Sequence, residues 1–235
     1  MGDKARILPA GDRAVLIELG TEITPEINRR VHFLANKIKE NRAAGIGETI
    51  SSYCSLLIDY DPFSLSFAQV SSWVEGLLTH EAPIEGSSRT VKEIPVLYGG
   101  PWGPDLSFVA QYNNLDTEEV IRLHVRETYL VYVVGFSPGF AAMGTVPEKI
   151  QAPRLSSPRT KVSAGSVGIG GMQTGIYAVE SPGGWQLIGR TPLKLFDLYC
   201  VPPSFFQTGD YVRFYAITEK EFMEISKSLN PKAKI

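Results

Sequence analysis

The residues best suited to chemistry crowd into one stretch, 135–192. Within it, Gly135-Phe136-Ser137-Pro138-Gly139-Phe140 follows an apolar run and sets a hydroxyl and two aromatic rings on a turn stiffened by Pro138. That arrangement reads as the wall of a pocket. No histidine or acid lies nearby in sequence to make Ser137 a nucleophile. Pro153-Arg154 and Pro158-Arg159 each place a guanidinium just after a rigid residue, and Gly189-Arg190-Thr191-Pro192 supplies a third. Arginine recognises carboxylate or phosphate through paired hydrogen bonds, so Arg154, Arg159 and Arg190 are candidate anion ligands. The run from Gly165 to Gly175 has the glycine density of a nucleotide loop. It lacks the Gly-Lys-Ser/Thr ending of a P-loop, and the residues after it, 176–179, read as strand, not helix. Its glycines therefore suit hairpins. Ser166, Gln173 and Thr174 remain as polar pocket groups, with Tyr177 and Trp185 to exclude water.

Other reactive side chains are scattered. His32, His80 and His124 fall in separate helical segments, far apart in sequence, which argues against a shared metal. His124 closely precedes the strand leading to Gly135 and reads as a structural histidine. Cys54 and Cys200 each sit in an apolar run and are expected to be buried thiols, with no disulfide framework and no zinc spacing.

The elements that must position these groups form two blocks, expected to be domains at 1–90 and 91–235. In the first, an apolar run at 14–19 reads as a strand. Thr24 and Pro25 then open a helix with Ile27, Val31, Leu34 and Ile38 on one face. Strands at 48–52 and 55–60 follow, then a helix carrying Phe67, Val70, Trp73, Val74, Leu77 and Leu78. A polar linker, 85–89, leads to a strand at 91–97. The order β-α-β-β-α-β predicts a ferredoxin-like domain in an α+β chain. The second block opens with two short helices, one at Pro104 and one capped by Asp116, and a strand at 129–134. From Gly135 to Pro192 the texture changes, since these 58 residues hold 11 of the 22 glycines and 6 of the 16 prolines. Short runs at 161–163, 167–169, 176–179, 185–188, 196–199 and 211–215 among so many turn residues predict a closed β-barrel. A helix at 218–229 and a frayed tail at 230–235 end the chain.

Composition narrows the function classes. A formal charge of −2 with no long Lys/Arg run speaks against nucleic acid as a partner. No apolar run is long enough for a membrane span, and the first residues carry no signal core. A soluble cytoplasmic protein is expected.

Taken together, the motifs resemble the family of 5-oxoprolinase B subunits and KipI, also known as allophanate hydrolase subunit 1. The likeness rests on residues 135–140, Gly144, the two Pro-Arg pairs, residues 164–169 and 173–177, Ser181-Pro182-Gly183-Gly184-Trp185, residues 189–192 and Phe196-Asp197. Upstream it includes Gly11-Asp12, Ser52-Tyr53, Tyr60-Asp61-Pro62, Tyr98-Gly99-Gly100 and Gly103-Pro104-Asp105. Ala142, Ser163, Met172 and Ala178 depart from the family pattern. The resemblance implies a C-terminal cyclophilin-like barrel and, as partners, the C and A subunits of 5-oxoprolinase. With ATP, the assembly would open 5-oxo-L-proline to L-glutamate. Ser166, Gln173 and Thr174 would orient the lactam and an arginine would pair with its carboxylate or a phosphoryl oxygen. It also implies two alternatives, a protein inhibitor of a sensor histidine kinase and a subunit related to allophanate hydrolase or urea carboxylase. The chain alone carries no ATP motif, so it is expected to be inactive by itself, with any nucleotide site shared at a subunit interface.

Overall fold

The computed structural model describes residues 5–79 and 91–229; His80, the linker at 85–89 and the tail at 230–235 lie outside the described residues. The chain divides into two compact units, 1–88 and 89–235.

The first unit contains β1 (Arg6–Pro9), β2 (Ala14–Glu18), α1 (Pro25–Glu40), β3 (Ile46–Ser51), β4 (Ser55–Tyr60) and α2 (Phe67–Leu78). Its four strands form an antiparallel sheet in the order β1-β2-β4-β3. Alternation along β2 and β4 sends Val15, Ile17, Leu56, Ile58 and Tyr60 into one core. Helix α1 closes that core with Val31, Leu34 and Ile38, and α2 with Val70 and Val74. The Thr24 start signal works as read, its Oγ1 accepting the Ile27 N–H at 3.2 Å, and the structure adds a capping box of Ser66 and Gln69 ahead of α2.

The predicted βαββαβ connectivity does not hold. The run at 91–97 leaves this sheet for the barrel, and the place beside β2 is filled by β1, in register Ile7↔Ile17. The observed order is ββαββα. A short turn through Gly11, at φ +72°, closes the β1–β2 hairpin locally. Closing so short a loop costs less entropy than recruiting a strand from residue 91.

The second unit contains β5 (Val91–Tyr98), α3 (Leu106–Tyr112), α4 (Thr117–Arg126), β6 (Thr128–Val134), β7 (Ala141–Gly144), β8 (Arg159–Val162), β9 (Ser166–Gly170), β10 (Gln173–Ile176), β11 (Ser181–Gly183), β12 (Gln186–Arg190), β13 (Tyr211–Ala216) and α5 (Glu219–Leu229). Seven strands close a barrel in the order β10-β7-β6-β13-β5-β12-β9, while β8 and β11 pair separately. Strands β5 and β13 run parallel and the other barrel pairs antiparallel. Ile94, Val131, Met143, Val167, Ile188 and Phe214 belong to its core.

Three expectations at this level are corrected. The strand expected at 176–179 instead spans Gln173–Ile176, because the hairpin turns at Gly171 with φ +68°, and 177–179 leave the strand. Strand β7 was not expected, since Ala141-Ala142-Met143-Gly144 lacks strand-forming side chains; its pairing with β6 and β10 holds it. The apolar run 196–199 is a turn, not a strand. Asp197 folds it back, accepting from Tyr199 N at 3.0 Å and Lys194 Nζ at 2.6 Å, and Leu198 and Tyr199 face solvent. Cys200 lies in the same loop and is exposed, against expectation, while Cys54 is half-buried and donates to the Glu22 carbonyl. No helix among the described residues is long and apolar enough to cross a membrane.

Candidate functional site

Period-two alternation decides which groups reach the outside of the barrel. Val167 and Ile169 of β9 and Ile176 of β10 point into the core. Ser166, Gly168 and Gly170 of β9, with Gln173 and Gly175 of β10, therefore face outward. The glycines leave room for rings. A Cβ on Gly170 would stand 2.7 Å from Trp185, and one on Gly175 would stand 2.9 Å from Trp185 and 2.7 Å from the Ala141 carbonyl. Trp185 lies in this bed. Phe140 meets it edge-on at 5.4 Å between centroids, and meets Tyr177 at 4.9 Å. Phe136 packs on Phe140 at 5.8 Å yet is 80 % exposed. Burial raises the Tyr177 hydroxyl's pKa, opposed by a hydrogen bond with Trp185 backbone and by Arg154 and Arg159.

The turn between β6 and β7 presents this aromatic face. Phe140 N–H donates to Ser137 O at 3.0 Å and Gly135 N–H to Phe140 O at 2.9 Å. Phe136 sits at φ +75°, a left-handed conformation that is costly for a non-glycine residue. Gly139, at φ +72°, lies against Ala178 and Phe196. The Ser137 Oγ is enclosed without a hydrogen-bond partner among the described residues. Gly135-Phe136-Ser137-Pro138-Gly139 has the Gly-x-Ser-x-Gly spacing of a nucleophile elbow. That motif needs a strand-to-helix turn with a partner base, and here a strand leads into a strand.

The three arginines separate. Arg159 Nη2 donates to both Asp105 oxygens at 2.7 and 2.8 Å, and Nη1 to the Trp185 carbonyl at 3.3 Å. Asp105 also accepts the Leu187 N–H at 2.6 Å, so Arg159 ties the α3 loop to β12 and carries little free charge. Arg154 is exposed and lies over the Trp185 ring at 5.4 Å, with no ion pair among the described residues. Arg190 lies over Trp102 at 5.6 Å and donates from Nε to the Ala164 carbonyl at 2.8 Å. Arg190 and Trp185 mark opposite ends of β12.

Thr174 points inward and is fully buried. Its hydroxyl donates to the Gly168 carbonyl at 3.2 Å, which leaves it to accept from His124 Nε2 at 2.8 Å. His124 Nδ1 then accepts from the Tyr98 hydroxyl at 2.7 Å. Burial lowers His124 to about 3, so a neutral imidazole fixed in one tautomer lies inside the barrel. Gln173 is buried on β10. Of the departures from the family pattern, Ala142 and Ala178 are buried, and Met172 is exposed at the β9–β10 hairpin tip.

The fold thus assembles Phe136, Ser137, Pro138, Gly139, Phe140, Tyr177, Trp185 and Arg154 on one face, with Ser166 and Arg190 farther along β9 and β12. Thr174 stands on the far side of the sheet. Sequence reasoning passed over Trp102 and Asp105 as site residues, although Gly103-Pro104-Asp105 was visible as a motif. The run 165–175 forms a β-hairpin, which does not fit a phosphate-cradling loop that opens a helix.

A carboxyltransferase domain profile, subdomain C and D, matches residues 5–206. The chain is 43% identical over 230 residues to the B subunit of 5-oxoprolinase from Bacillus subtilis (strain 168), covering 94% of this chain and 96% of the relative. The chain belongs to the 5-oxoprolinase B-subunit family of carboxyltransferase-domain proteins. A solved relative, a conserved uncharacterized protein from Pyrococcus horikoshii, is 48% identical with a TM-score of 0.55, covering 92% of this chain and 100% of that one. The Kluyveromyces lactis urea carboxylase shares the fold, with a TM-score of 0.76 at 24% identity, covering 95% of this chain and 23% of that one.

Proposed function

We propose that this chain is one component of a cytoplasmic, ATP-dependent 5-oxoprolinase that opens the lactam of 5-oxo-L-proline to L-glutamate. The full-length likeness to a 5-oxoprolinase B subunit carries the reading. The aromatic face supports it, since Phe140, Tyr177 and Trp185 would shed water from a bound lactam. Arg154, exposed and without an ion pair among the described residues, would pair with the substrate carboxylate. A charged hydrogen bond of that kind contributes about 1.5–3 kcal/mol. A stable amide resists water, and coupling to ATP supplies the drive; the chain's own part is to hold and desolvate the lactam. The C and A subunits would complete the site.

The test is turnover of 5-oxoproline, read as glutamate and phosphate released, by the purified chain with and without those subunits. Activity is expected only in the assembly. Robust ring opening by the chain alone would reject the split-enzyme reading, and none in the assembly would reject the substrate. Exposed Phe136 favours a second reading, inhibition of a sensor histidine kinase through an aromatic anchor. Capture of such a kinase by wild type but not by a folded Phe136→Ala variant would support it.

A further inference from the structure

Arg190 differs from the other two arginines in its surroundings. Arg159 has Asp105, and Arg154 is open to solvent. The Arg190 guanidinium is half-buried over Trp102, and its terminal nitrogens meet no acceptor among the described residues. Burial lowers its pKa, and no acid offsets this. A partly buried cation without a counter-ion is unfavourable, and a bound anion relieves it.

A second, independent group points to the same place. Ser166 stands directly opposite Arg190 in the β9–β12 ladder, so the two side chains leave the sheet on the same face. Ser166 is 4 % exposed, and its hydroxyl has no partner among the described residues. Trp102, the floor under the guanidinium, is held from α5 by Phe222 at 4.7 Å. Trp185 precedes the other end of β12, a β-bulge between Leu187 and Gly189 shortens the path between them, and Tyr177 of the aromatic face donates its backbone N–H to the Ser166 carbonyl at 2.9 Å, so the two groups adjoin.

We propose that Arg190 and Ser166 form an oxyanion subsite at the edge of the aromatic face, taking a carboxylate or phosphoryl group. The terminal guanidinium N–H groups would donate to one or two oxygens of the ligand and the Ser166 hydroxyl to another. The geometry stands by itself; only the choice of ligands to test rests on the ring-opening reading, in which the group is a phosphoryl of ATP, its phosphate product, or the substrate carboxylate.

The chain has three tryptophans, so indole N–H signals in an ¹⁵N spectrum of the whole chain separate the outcomes. Trp102 reports on this subsite, Trp185 on the aromatic face, and Trp73 serves as a control. Inorganic phosphate, ATP and 5-oxo-L-proline are titrated separately. A saturable Trp102 shift with phosphate or ATP assigns a phosphoryl site, and one with 5-oxo-L-proline alone assigns a carboxylate site. Arg190→Gln should abolish the response, and Ser166→Ala should weaken binding roughly 5- to 10-fold. Ser166→Ala removes no internal hydrogen bond, so it stays readable if Arg190→Gln fails to fold. No saturable Trp102 shift with any of the three ligands would overturn the proposal, as would an unchanged titration in the folded Ser166→Ala variant. A Trp102 response without turnover in the assembled enzyme would count against the ring-opening reading and leave this subsite standing.

Discussion

The two units solve the packing problem in different ways. In the first, alternating apolar side chains on β2 and β4 meet α1 and α2, and Gly76 of α2 has open space where a Cβ would go. In the barrel, Gly168, Gly170 and Gly175 on the outer face of β9 and β10 leave room for the large rings that lie there. Its interior also carries a polar chain through Tyr98, His124, Thr174 and Gly168. A core of interchangeable hydrocarbon tolerates change. A surface where rings touch backbone, held from below by directional hydrogen bonds, fixes geometry closely. That is where a small ligand would be oriented.

The harshest test of this contrast is Gly175→Val. Its side chain would collide with the Ala141 carbonyl and Trp185, and the barrel is expected not to fold, read as loss of dispersed barrel resonances. A folded Gly175→Val barrel would show that the aromatic bed is loose. The buried chain gives the next effect. Folding holds His124 neutral down to about 3, whereas the unfolded chain takes up its proton near the ordinary 6.5. The unfolded state thus binds more protons between those values, and stability is lost as pH falls through that window, by about 1.4 kcal/mol per pH unit. Urea unfolding across pH 6.5 to 4 should show this slope in wild type and lose it in His124→Gln.

A smaller effect is expected from Arg159→Ala, because it strands the Asp105 carboxylate at the α3 loop. The pair is partly exposed, so a loss of about 2 kcal/mol is expected, read as a lower melting temperature of the isolated chain. Unchanged melting with lost turnover would return Arg159 to the ligand side of the comparison. The mildest change, Gly76→Ala in α2, should stabilise the first unit by about 0.5–1 kcal/mol. Destabilisation there would mean that the first unit is packed as tightly as the barrel.

Local chemistry explains what was legible in the sequence. Thr24-Pro25 announced α1, because caps act within one turn of helix, and the spacing of Phe67, Val70, Val74 and Leu78 announced α2. The barrel followed from strands and turn residues, and the grouping of Phe136, Phe140, Tyr177 and Trp185 from their shared glycine-rich stretch. Strand partnership was not legible. The run at 91–97 suits either a small sheet or a barrel, and only the competing β1–β2 hairpin decided between them. The arginines are identical as letters. Asp105, 54 positions from Arg159, engages one of them, and no local pattern encodes that pairing. The parity of β10 likewise turned Thr174 inward while leaving Gln173 and Gly175 outside. Sequence alone determined the elements and the inventory of reactive groups, because propensity and capping are local. The tertiary structure decided which groups keep free charge and which face they share, because long-range pairing and strand register set those.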